Sequence, residues 1–350
     1  MTLKAQFSHR RSRNLAVLAG VTVLSVALAL AALFYREAMV APQHTPMPLF
    51  PGLAHQLANG EATHITIVSK KYGAVEIAFI PSKGWVLPER GNYPASFETV
   101  QQTLVAIAAM ETSEPKTDRP DWFHYVDLDL PPHGGGTIVT LSADKGTVLA
   151  SMILGKAEMV GDELGLFVRR AGENQSWLVK SPAEIKANPS DWMDKNVIDL
   201  DRGRIASAEV RPATGPAYTA TRTKPDQGFT VAPLPKGRQL AYPDAADATA
   251  AALAGFAFDD IKPATDLDFA SAARLTLHTF DGLTVTTETV PQGSDSWVRL
   301  YASAEPGNRK AAKDALAINA RASGWAYKLP PYKVGAFAPA LESLLKPKGK

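Results

Sequence analysis

Gly84-Trp85-Val86-Leu87 returns as Gly228-Phe229-Thr230-Val231, and the order of the segments around the two copies decides the fold. Before the first copy, residues 64–68 and 75–80 are β-branched and apolar runs joined at Tyr72-Gly73, a pattern that predicts two paired strands. Before the second copy, residues 207–211 and 217–222 predict the same pair. After the first copy, Phe97, Val100, Leu104, Ile107 and Met110 recur three or four apart, an apolar stripe that predicts a helix over 97–111 with Ser96 as its N-cap. After the second, a helix is expected over 245–258 behind Asp244, with Leu253 and Phe256 facing inward.

The order continues to match further along. Strands are predicted at 137–142 and 148–154 around Asp144-Lys145-Gly146, and again at 274–279 and 283–290 around Asp281-Gly282. Residues 165–170 and 176–180 form the last pair of the first half. Residues 296–301 and 325–329 form that of the second, so Trp325 takes the place of Trp177. Lys116-Thr117-Asp118 is echoed by Ala264-Thr265-Asp266. The offset is about 140 to 150 residues throughout, and a sustained internal repeat outranks local propensity. One Ala-rich helix, 308–322, has no counterpart in the first half. The expected fold class is α+β: two similar strand-rich modules, residues 61–205 and 206–350, each with an antiparallel sheet and one main helix.

Outward from the repeat, the N-terminal end has a different character. Lys4, Arg10, Arg11 and Arg13 lie in a basic segment, 1–14, that precedes an uncharged apolar run at 15–35. About 21 residues in a helix extend roughly 31 Å, enough for a bilayer core of about 30 Å. The run is longer than the apolar core of a signal peptide, about 7 to 15 residues, so it is read as a retained transmembrane helix, although Ala29-Leu30-Ala31 and Ala38-Met39-Val40-Ala41 offer cleavage sites. The basic side stays in the cytoplasm, which places everything after Tyr35 in the periplasm of an inner-membrane, single-pass protein. Residues 36–60 hold Pro42, Pro46, Pro48 and Pro51 and are read as a stalk.

Composition narrows the function classes. There is no cysteine, so neither a disulfide nor a lipid-modified cysteine anchor is available. The formal net charge is +2, and the four cations above precede the apolar run, so the exported part is close to neutral. A nucleic-acid binder would need a concentrated basic face.

No motif stands out as catalytic or metal-binding. His124 and His133 flank Asp127 and Asp129, but the spacing does not bring ligands together on one element. His133-Gly134-Gly135-Gly136 precedes a strand, whereas a phosphate cradle needs a following helix, so these glycines read as a flexible connection. Asp191, Asp194, Asp199 and Asp201 suit caps and surface positions. Trp85, Trp122, Trp177, Trp192, Trp297 and Trp325 could line a sugar groove, but tryptophans at the ends of short strands are more often core plugs. The expectation is no catalytic residue, no cofactor and no metal site.

Taken together these segments resemble an uncharacterised bacterial envelope family, domain of unknown function 4340. The resemblance is carried by Gly84-Trp85-Val86-Leu87 with Tyr93-Pro94-Ala95, by Leu154-Gly155-Lys156, and by residues 168–173 with Gln175-Ser176-Trp177-Leu178. Asp191-Trp192-Met193-Asp194 leading to Ile198-Asp199-Leu200 and the closing Gly324-Trp325-Ala326-Tyr327-Lys328-Leu329-Pro330 complete it. It implies an exported, membrane-anchored protein, in some cases encoded beside components of an ABC-type export system, and it supplies no catalytic residues. The expected role is a non-enzymatic scaffold or binding subunit of an envelope complex, accessory to an ABC-type transporter. The alternative is an envelope hydrolase or glycan-modifying enzyme with a site between the modules.

Overall fold

The computed structural model describes residues 45–160, 163–180 and 184–347, together with Ser25, Ala27, Leu28, Ala31 and Ala32. The first module contains β1 (His64–Ser69), β2 (Gly73–Ile80), β3 (Gly84–Leu87) and β4 (Tyr93–Pro94), preceded by the short helix α1 (Leu53–Ala58). Helix α2 (Phe97–Ala108) follows, then β5 (Glu114–Pro115), β6 (Thr137–Ser142), β7 (Val148–Val160), β8 (Glu163–Arg170) and β9 (Ser176–Lys180). The second module runs β10 (Ile205–Arg211), β11 (Tyr218–Thr221), β12 (Thr230–Ala232), α3 (Asp247–Ala250), β13 (Asp260–Pro263), β14 (Ala273–Thr279), β15 (Leu283–Gln292), β16 (Asp295–Ala304), α4 (Arg309–Ala322) and β17 (Trp325–Lys328).

Two antiparallel sheets result, ordered β4-β3-β2-β1-β6-β7-β8-β9-β5 and β12-β11-β10-β14-β15-β16-β17-β13. Apart from β4, the orders coincide strand for strand. The register coincides as well. Ile65 faces Ile77 and Leu141 in the first sheet, and Ala208 faces Ala220 and Leu277 in the second. Pro115 faces Trp177, as Pro263 faces Trp325. A shared strand order could arise by chance; shared residue pairings across it make the two modules copies of one design.

Each sheet is covered on both faces. On β7, Met152 and Leu154 join the main apolar cluster while Ile153, between them, joins a smaller one with Phe123, Leu128, Phe167 and Leu178, as alternation along a strand requires. On β16, Val298 joins the main cluster and Trp297 a second small one with Phe269 and Val290. The covering loops repeat too: Arg169 stacks over Phe123 at 4.6 Å and Arg299 over Phe269 at 4.2 Å. The main cluster runs through both modules without interruption, from Leu49 to Leu345.

Three expectations need correction. The fold class included a transmembrane helix. Among the described residues no helix is long and apolar enough to cross a membrane. A crossing needs about 20 apolar residues, whereas the longest described helix, α4, has 14 residues and carries Arg309, Lys310, Lys313, Asp314 and Arg321. The run at 15–35 lies outside the described residues except for five scattered positions. The stalk at 36–60 is corrected from Met47 onward: Leu49 and Leu53 are buried in the main cluster, and Leu49 N–H donates to the Met110 carbonyl at 2.7 Å. Finally, the main helix of the second module is α4. The predicted 245–258 helix is cut to α3, which has no side-chain N-cap, and turns lead from it to Gly255 at φ 50°. Asn308 caps α4, its Oδ1 accepting from Ala311 N–H at 3.1 Å.

Candidate functional site

The two sheets are joined by residues 188–204, which thread between the modules. The Asn188 side chain caps a 3₁₀ turn, Pro189–Trp192, and turns the chain inward. Trp192 is 0 % exposed, and its indole N–H donates to the Lys186 carbonyl at 3.0 Å. The next residues pair with the first module: Ser96 N–H donates to the Trp192 carbonyl and Asp194 N–H to that of Pro94. Tyr93 Oη donates to the Asp194 carbonyl at 2.8 Å. The Tyr93 ring then meets Trp325 edge-on at 5.1 Å, with Phe258 and Tyr327 close by, so an aromatic cluster joins the modules. Burial, with Tyr327 and Asp194 adding to it, pushes the Tyr93 phenol well above its ordinary range. It is a hydrogen-bond donor at every physiological pH.

Lys195 occupies the centre of this junction. Its ammonium donates to the Phe258 carbonyl at 2.6 Å and to Ser190 Oγ at 2.9 Å, and lies 4.0 Å from the Phe258 ring centre. Burial lowers its pKa to about 8 against the opposing pull of Asp259, Asp191 and Asp260. Lys195 and Asn196 form the wall between two recesses. One, about 490 Å³, lies against the second module and is lined by Ile198, Arg204, Phe256, Asp314 and Arg321. The other, about 380 Å³, lies against α2 and is lined by Ser96, Thr99, Gln102 and Asp191.

The charged groups of the larger recess are already engaged. Arg204 pairs with Asp281 at 2.8 Å and Asp314 at 3.2 Å. Arg321 donates to the Asn196 carbonyl, and Asp199 Oδ1 accepts from Gly255 N–H. Arg90 pairs with Asp260 across the junction at 2.7 Å.

Of the residues singled out in the sequence, Asp191 lines the smaller recess and Trp192 and Trp325 belong to the junction; the others lie elsewhere or serve the backbone. Asp194, Asp199 and Asp201 accept from the amides of Asn196, Gly255 and Gly203. His124 stacks on Tyr125 with ring centres 3.9 Å apart. No group of three or more His, Asp or Glu able to hold a metal occurs among the described residues. The three glycines 134–136 are not a flexible connection: a Cβ at Gly134 would lie 2.4 Å from the Asp129 carbonyl oxygen, and one at Gly136 2.6 Å from the same atom. Trp192 and Trp297 are buried; Trp85, Trp177 and Trp325 are half-buried against the main cluster; Trp122 is exposed. Sequence reasoning missed Lys195, Arg204 and Arg321, and the available signal was that Lys195 directly follows Asp191-Trp192-Met193-Asp194.

Residues 85–276 match the family described as Domain of unknown function (DUF4340), and the chain belongs to that family. The matched region contains the whole of the 188–204 connection. No curated protein and no solved structure matches the chain.

Proposed function

We propose that this family member is a non-enzymatic scaffold or binding subunit of a cell-envelope complex, acting on the periplasmic side and accessory to an ABC-type transport system. The observation that carries this reading is the engagement of the charged side chains of the larger recess. A catalytic acid, base or nucleophile must reach a reacting atom. Lys195, Arg204, Arg321 and Asp199 are instead held by backbone groups, Ser190, Asp281 and Asp314, which fix the connection against the second module, while Tyr93, Ser96 and Arg90 tie it and the second module to the first. Such a body suits the presentation of surfaces to partners. The test is in-cell cross-linking followed by affinity capture of the full chain from membranes. Transport components enriched over an unrelated envelope protein are expected, and recovery of no envelope partner would overturn the reading.

The second reading, an envelope hydrolase or glycan-modifying enzyme with its site between the modules, is favoured by one observation, the lowered pKa of Lys195 beside the recesses. Hydrolysis of model ester or glycoside substrates that is abolished in Lys195→Ala would select it.

A further inference from the structure

The segment between β5 and β6 holds a 3₁₀ turn, Pro120–Val126, that is two-sided. Phe123 and Val126, three apart, pack into the small cluster with Leu128, Ile153 and Phe167. Trp122 and Tyr125, also three apart, are 48 % and 65 % exposed. Side chains at this spacing on a 3₁₀ turn eclipse one another, with about 6 Å between them along the axis. Both rings therefore belong to the outer side of the turn.

The turn under them is rigid. Leu128 N–H donates to the Phe123 carbonyl at 2.9 Å, and Arg169 stacks on Phe123 while donating to the Leu128 carbonyl. A Cβ at Gly155 would lie 2.1 Å from the Val126 carbonyl oxygen, so the turn lies directly on β7. A surface fixed in advance loses little entropy on binding. Packing does not call for the outward rings. The corresponding segment of the second module, 264–272, keeps the Arg-covered Phe269 and has neither Trp nor Tyr.

The chemistry around the rings selects the ligand. Arg119 covers one face of Trp122 at 4.9 Å and pairs with Asp121 through two contacts, 2.8 and 3.3 Å, which neutralises both charges. His124 packs against the Tyr125 ring, with ring centres 3.9 Å apart, and its imidazole and the Tyr125 hydroxyl are hydrogen-bonding groups beside the rings. A polyanion would need unpaired cations. A stable protein partner would need a patch burying on the order of 1,200 Å² or more in total, whereas two rings beside an ion pair are small and polar-edged. An uncharged ligand with flat C–H faces and hydroxyl edges matches.

We propose that Trp122 and Tyr125 form a stacking platform for an uncharged pyranose glycan. The test is titration of the full chain with chitohexaose and with cellohexaose, followed by fluorescence and calorimetry. Saturable binding, weakened at least tenfold in Trp122→Ala and Tyr125→Ala but not in the distant exposed Tyr332→Ala, is expected, with unchanged thermal midpoints. Trp122→Phe, which keeps a ring, should retain most of the binding. Preference for the N-acetylated oligomer assigns the site to wall glycan; preference for the other assigns it to an extracellular polysaccharide. Absence of saturable binding to either, or equal binding by both alanine variants, overturns the proposal. So does a photo-cross-linker at position 122 that captures an envelope protein while added oligosaccharide leaves its yield unchanged.

Discussion

Truncating Trp192 should separate a buried junction from a connection that merely follows the surface. The indole is 0 % exposed and donates to the Lys186 carbonyl at 3.0 Å, at the point where the connection enters the space between modules. Removing a fully buried Trp side chain costs about 3–5 kcal/mol through lost transfer energy and the cavity left behind. The Lys186 carbonyl then loses its donor, which adds about 1–3 kcal/mol unless water enters. Trp192→Ala should therefore cost about 4–8 kcal/mol, a large part of a domain stability of about 5–15 kcal/mol. Trp192→Phe keeps most of the volume but not the N–H, and should cost about 1–3 kcal/mol. Trp325 is half-exposed and edge-on to Tyr93, so Trp325→Ala should fall between Trp192→Ala and Trp122→Ala, the last within about 0.5 kcal/mol of the parent. Urea unfolding followed by far-ultraviolet circular dichroism, with the slope checked for constancy, gives the ranking. A Trp192→Ala protein within about 1 kcal/mol of the parent, or a Trp122→Ala protein less stable than it, would refute the burial argument.

Gly155→Ala should destabilise by about 1–3 kcal/mol or more, because its Cβ would meet the Val126 carbonyl at 2.1 Å and that contact is backbone. Gly228→Ala, with nothing within 4 Å and no positive φ, is the control and should be neutral or slightly stabilising in the same denaturation experiment. Lys195 links stability to alkaline pH. Its folded pKa of about 8 lies below the unfolded value of about 10.4, so between these the folded state holds fewer protons and this group makes stability rise with pH. Below pH about 8 the group is charged in both states and adds no slope. Unfolding midpoints from pH 7.5 to 10 should rise more steeply in the parent than in Lys195→Met, and equal slopes would remove Lys195 as the cause.

The sheets were legible in the sequence because their signals are local and repeat. Gly84-Trp85-Val86-Leu87 and Gly228-Phe229-Thr230-Val231 occupy corresponding places, with Val86 opposite Ala78 on β2 and Thr230 opposite Thr221 on β11. Trp177 and Trp325 share a proline partner type for the same reason. Helix α2 was legible from its stripe, yet Phe97, at the head of that stripe, is 69 % exposed. Periodicity assigns a face to a helix, but whether the first turn reaches the core depends on where the helix crosses it. The Ala-rich run after Asp244 was misread because composition favours a helix while Gly255 and the missing cap end it early. The junction was the least legible part. Lys195 reaches Phe258, 63 positions away, and no spacing rule connects such a pair.

The covers explain why the repeat is plain in the strands and hidden elsewhere. An apolar sheet face must be buried against something, but its own pattern does not say what. In the second module, α4, inserted between β16 and β17, lays Ala311, Ala315 and Ile318 over β15 and β16. In the first module β8 passes to β9 through a short turn, so the equivalent face of β7 needs another cover. It comes from the opposite end of the module: Leu49 and Leu53 are buried there, and Arg170 Nε donates to the Leu49 carbonyl at 2.7 Å. The proline-rich stretch that composition marks as a spacer thus does for one module what an inserted helix does for the other. Two copies of one sheet can therefore diverge freely in what covers them, so long as each cover brings apolar side chains to the same face.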